Sequence, residues 1–123
     1  DITMEDKVSD WVNSSPTSTA YKTYTNTRRR IAIGPDGHLK GRLNWLYRTM
    51  KKSKYDFKTW VTSLLLGIKI PTRYTPGSTF SVSRDVIRKR SINFYRGLLN
   101  AIPSGGYCEE EHYFECCWES IFS

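Results

Sequence analysis

Apolar and polar positions follow two different periods along this chain, and each change of period marks an element. In residues 3–13 Met4, Val8, Trp11 and Val12 recur at helical spacing, with Thr3 placed to cap and Asp6 three positions on, which predicts a short amphipathic helix. The stretch 13–19, Asn-Ser-Ser-Pro-Thr-Ser-Thr, has no apolar period and a central proline, and reads as a polar linker. From Ala20 to Ile33 the period shortens towards two, with Tyr21, Thr23 and Thr25 and then Ile31 and Ile33 in partial alternation. Gly34-Pro35-Asp36-Gly37 then supplies a preset φ at proline and a permissive glycine exit, so a β-hairpin over Ala20–Leu39 is expected.

The helical period returns after Leu39. Leu43, Leu46, Tyr47 and Met50 form one stripe, with Arg48, Lys51 and Lys52 off it. Ser53, with Asp56 three residues later, is placed to cap a second helix, whose Phe57, Trp60, Val61, Leu64, Leu65 and Ile68 make a broad apolar face ended by Pro71. Residues 72–79, containing Pro76-Gly77, read as a loop, and Phe80 and Val82 alternate briefly. A helix opened by Ser83 or Asp85 is expected to run to about Asn100, with Ile87, Phe94 and Leu98 on one side and Lys89 and Arg96 nearly opposite. Ser104-Gly105-Gly106 reads as a hinge, and Tyr107–Phe122 as an acidic, aromatic helix. Leaving Tyr107, Phe114, Trp118, Ile121 and Phe122 in water is costly, which favours a packed segment over a detached one. The expected fold is therefore α+β and mainly helical: one small domain with a β-hairpin and four to five short helices. Its parts are an amphipathic helix with polar linker (1–19), a basic core (20–106) and a packed acidic segment (107–123). The rival is an all-α bundle with residues 20–41 as an arm.

Charge sharpens this picture. The 123 residues carry +7 in total, but residues 1–19 are net −3 and residues 107–123 are net −5. Residues 20–106 hold eighteen Lys or Arg against Asp36, Asp56 and Asp85, net +15. Such a concentration of one sign repels itself and steers towards a partner of the opposite sign. The candidate contacts form clusters: Arg28, Arg29 and Arg30; Lys51, Lys52 and Lys54; and Arg84, Arg88, Lys89, Arg90 and Arg96. On a helical wheel Trp45 lies about 160° from the Leu43–Met50 stripe and beside Arg48 and Lys52. An indole among cations suits stacking on an unpaired base while the cations hold phosphates, and suits a lipid headgroup boundary equally. Packing beneath another element is the plainer account of it.

Other chemistry has less support. Three cysteines, two of them adjacent, do not make a disulfide framework and fit a reducing, intracellular setting, cytoplasmic or nuclear rather than secreted. Cys108, His112 and Cys116 at i, i+4 and i+8 drift across one helical face and are the candidate ligands for a structural zinc, although the spacing matches no established zinc motif. Glu109, Glu110 and Glu111 read as a solvated face. The first residues lack a basic start followed by an apolar run, so no signal peptide is expected, and no apolar run in the sequence approaches about 20 residues. The start at Asp1 rather than Met reads as a fragment or processed product. No nucleophile elbow, P-loop or HExxH is present, and two histidines give catalysis little to work with, so no enzyme and no other cofactor is expected. The profile is similar in style to small viral matrix, structural and accessory proteins, without a motif that carries residues over. Three functions follow: phosphate-led nucleic-acid binding, with RNA favoured; a matrix-like association with an anionic membrane surface; and binding to another protein, including a second copy of this chain.

Overall fold

The computed structural model describes residues 21–24, 27–40, 50–64, 68–77, 79–103 and 108–123. The expected helices over residues 3–13 and around Leu43, Leu46 and Tyr47, the linker 13–19 and the hinge 104–106 lie outside the described residues, as do Trp45 and Arg48. In chain order the elements are β1 (Tyr21–Thr23), β2 (Arg29–Arg30), α1 (Phe57–Leu64), β3 (Arg73–Tyr74), β4 (Phe80–Val82), α2 (Arg84–Arg88), α3 (Ile92–Asn100) and α4 (Glu109–Ile121). Among the described residues the architecture is α+β, four helices with two small antiparallel sheets.

The turn at Gly34–Gly37 forms, but the hairpin expected around it does not extend over Ala20–Leu39. The Gly34 amide donates to the His38 carbonyl at 2.8 Å and Ile33 bridges Leu39, which closes the turn. Gly37 sits at φ +82, where a side chain would be strained, and a Cβ there would come within 2.7 Å of the Asp56 carboxylate. The flanking strands pair elsewhere. β1 takes β4 as its partner, with Tyr21 opposite Val82 and Thr23 opposite Phe80, and β2 takes β3, with Arg29 opposite Tyr74. Side-chain packing explains the choice for β1: the Tyr21 ring lies 5.4 Å from Phe80 and 6.1 Å from Phe122, so the sheet closes over α4. On the far side of the turn, the Leu39 amide donates to Glu109 rather than to a strand.

α1 forms over the first part of the expected apolar face, Phe57–Leu64, while Leu65 lies outside the described residues and Ile68 is not helical; its cap is Asp56, whose carboxylate accepts from the Thr59 amide at 2.8 Å. Ser53, the expected cap, instead donates its hydroxyl to Glu110. Phe57, Trp60 and Val61 are buried. The single helix expected from Ser83 to Asn100 is two. Ser83 caps α2 by accepting from the Val86 amide, and Ser91 caps α3 by accepting from the Phe94 amide. The break resets the helical phase, so Ile87 is 41% exposed and does not share a face with the buried Leu98. Ile92 and Leu99 are exposed as well.

α4 supplies the middle of the core. Tyr113, Cys117 and Ile121, at i, i+4 and i+8, are all but sealed from solvent, and Phe114 and Cys116 flank them. Trp60 of α1 meets Tyr113 at 5.2 Å and Phe114 edge-on at 4.9 Å. The ring contacts continue from Phe114 through Trp118 to Phe122 and Phe80, joining α1 to the β1–β4 sheet. A side chain of this kind contributes about 1.5–3 kcal/mol when fully buried, as Trp60 and Tyr113 are, and the partly buried Phe80 and Trp118 add less.

Candidate anion-binding groove

The strand pairings bring distant basic residues to one place. Pairing of β2 with β3 sets Arg28 near the segment 68–73, and the Arg90 Nε donates to the Ile121 carbonyl at the end of α4 at 3.0 Å. Between them runs a groove of about 570 Å³ lined by Arg28, Lys69, Arg73 and Arg90, with Ser120, Ser123 and one acidic side chain, Glu119. The Arg90 guanidinium also lies 4.6 Å from the centre of the Phe94 ring, so its position is fixed on two sides. Arg28 is held by Glu119 at 3.2 Å, with both side chains partly in solvent. A smaller cleft adjoins the groove, lined by Tyr21, Lys22, Thr23 and Thr75, and Arg28 and Glu119 line this cleft too. The Tyr21 phenol is pushed up to about 12, by burial first and by the nearby Glu119 charge second.

The groove takes one residue from each of two predicted clusters, Arg28 and Arg90, and adds Lys69 and Arg73. The sequence does not single out Lys69 and Arg73 because each is an isolated base two positions from Pro71, and only the folded chain brings them beside Arg28 and Arg90. Arg29 and Arg30 are exposed on β2, and Arg84, Arg88, Lys89 and Arg96 are exposed on α2, α3 and the break between them, none of them lining the groove. Lys51, Lys52 and Lys54 border a separate cleft with Tyr55, Asn100 and Pro103. Lys52 is paired with Asp36, and that hydrogen bond holds the Asp36 carboxyl below the usual range. The basic clusters therefore converge in part.

The expected zinc ligands do not assemble. Cys108 and Cys116 are buried, His112 lies 3.5 Å from Glu115, and among the described residues no group of three or more His, Cys, Asp or Glu is arranged to hold a metal. Burial alone accounts for most of the upward push on the Cys117 thiol.

The site that sequence reasoning missed is a buried carboxylate. Glu109, read as solvated, is sealed from solvent, and Glu110 is buried beside it. Glu109 accepts from the His38 ring at 2.7 Å, the Leu39 amide at 2.8 Å and the Ser53 amide at 2.9 Å. Burial would raise its pKa, but the donors, led by the Ser53 amide and His38, outweigh burial and hold it below the usual carboxylate range. Tyr113 donates to the Tyr55 carbonyl at 2.8 Å above the same spot. His38, Leu39 and Ser53 lie outside the helices, so Glu109 ties two loops to the start of α4. The sequence offers one clue, a histidine directly after the tight turn.

Among the described residues no helix is long and apolar enough to cross a membrane. Comparison of the chain with protein-family models, curated proteins and solved structures finds no match.

Proposed function

We propose that this protein is a non-enzymatic binding protein that associates with nucleic acid, RNA foremost, through phosphate contacts. The observation that carries the reading is the groove, in which four cations from three separate segments, Arg28, Lys69 with Arg73, and Arg90, stand against one acidic side chain among the described residues. Cations that far apart in sequence repel one another when brought together, and the repulsion is relieved when a phosphate chain lies among them. Each neutralised phosphate releases counterions, so binding is steep in salt and weakly sequence-specific. The His38–Glu109 pair, the nearest thing to an acid–base dyad, is occupied in holding loops, which supports a binding role rather than catalysis.

For single-stranded RNA the logarithm of affinity falls by about 0.7 per contacted phosphate for each unit in the logarithm of salt, so four contacts correspond to a slope of about 3. The variant Lys69→Glu/Arg73→Glu is expected to weaken RNA binding by tenfold or more, and Arg88→Glu/Lys89→Glu to weaken it less, with both melting curves near wild type. Equal effects of the two pairs, measured by fluorescence anisotropy, remove the groove from the site. The membrane reading is supported by a different observation, the exposed Ile92 and Leu99 on α3 beside Arg96. Sedimentation with anionic liposomes in parallel with RNA and duplex DNA decides between them, and binding to liposomes alone favours the membrane.

A further inference from the structure

Among the described residues, Glu119 is the one acidic side chain lining either the groove or the cleft beside it. Its carboxylate lies against Arg28, where a ligand phosphate would make the same charge-assisted contact. Its backbone is not free to leave. Trp118 packs on Phe114, Phe122 and Phe80, and Ile121 is buried, so the carboxylate is tethered within side-chain reach of the groove. We infer that Glu119 is a built-in competitor: it takes the place of a phosphate on Arg28 in the empty groove and is displaced when a phosphodiester chain enters. The inference rests on the nucleic-acid reading and adds the regulation of that site.

The strength of the contact fits this role. Arg28 and Glu119 are 51% and 42% exposed, so the pair is screened and weak enough to open. A ligand bearing a single phosphate gains little by exchanging one anion for another on Arg28. A chain of phosphates also engages Lys69, Arg73 and Arg90 and gains from each. Glu119 thereby favours a polyanion over a lone anion, and because it is tethered it competes at high effective concentration.

The test titrates a short labelled oligouridylate into wild type, Glu119→Gln, Glu119→Ala and Arg28→Ala at low and at high salt, with melting curves to confirm folding. Both Glu119 variants are expected to bind about three- to tenfold more tightly than wild type at low salt, and the gain is expected to shrink as salt screens the contact. Arg28→Ala is expected to bind more weakly. Glu119 variants that bind like wild type or more weakly overturn the inference, as does wild-type binding that Arg28→Ala leaves unchanged, and in both cases the nucleic-acid reading stands. If no protein in the series binds the oligonucleotide, the nucleic-acid reading itself falls, and the inference falls with it.

Discussion

Glu109 shows how one side chain can decide which loops a helix holds. A carboxylate sealed from solvent would be strongly destabilising without partners, and here the His38 ring and two backbone amides supply them. Glu109→Gln keeps the shape but turns an NH2 group towards donors, so it is expected to lower unfolding stability by about 3–5 kcal/mol in a denaturant titration. The pH dependence follows from the depressed pKa. The unfolded carboxyl titrates near its ordinary value of 4.5 and the folded one lower, so the stabilisation is complete above about pH 4.5 and is lost as pH falls towards the folded value. Wild type is expected to lose stability through that acid window, and Glu109→Gln to lose less, with Asp36 and Asp56 accounting for the remainder. Gly37 is a second single-residue constraint. Its positive φ and the nearness of Asp56 lead us to expect that Gly37→Ala costs about 1–3 kcal/mol, read as a shifted denaturation midpoint. The turn glycine was legible because Gly-Pro-Asp-Gly has local turn chemistry. Glu109 was not, because in a run of three acids nothing local marks which one faces inward.

Elements were legible in proportion to their length and to the strength of their local signals. Phe57, Trp60 and Val61 repeat at helical spacing and are buried in α1 as that pattern requires. The strands of β1–β4 and β2–β3 are only two or three residues long, too short for a pattern to name a partner, and the β1–β4 pairing is held by Tyr21 against Phe80 and Phe122. The break between α2 and α3 is intermediate. Ser83 was legible as a cap, whereas Ser91 was hidden inside Arg88–Ile92, a run that continues the helical period on paper. Its hydroxyl satisfies the Phe94 amide, one of the donors a helix start leaves open. Ser91→Ala is accordingly expected to cost about 0.5–2 kcal/mol in denaturant, and Ser91→Asp or Ser91→Asn to recover most of it. Equal stability of Ser91→Ala and wild type would mean that the bend, rather than the cap, starts α3.

At the scale of the molecule, charge and packing act on the same segment. α4 is acidic, and by charge alone an acidic tail behind a glycine hinge would fold loosely over a basic middle and compete for its lysines and arginines. Packing decides otherwise for most of it: Glu109 and Glu110 are buried, while Tyr113, Phe114, Cys117 and Ile121 fill the core between α1 and the β1–β4 sheet. On the proposed reading, competition with a ligand falls to Glu119, which lines the groove from the same helix. The two roles make opposite predictions for truncation after Pro103. A detachable tail would leave a folded, tighter-binding remainder. A tail that is core removes the partners of Trp60, Phe57, Phe80 and Tyr21 together, exposing several large rings at about 1.5–3 kcal/mol each, against the 5–15 kcal/mol of total stability typical of a domain. The truncated chain is therefore expected to be unfolded or aggregated, with no cooperative transition by circular dichroism. Supplying residues 104–123 in trans as a peptide is expected to restore some of that transition if the loss is one of packing. A truncated chain that melts cooperatively on its own, near the temperature of the full protein, would show that the rings of α4 contribute little and that the core must lie elsewhere.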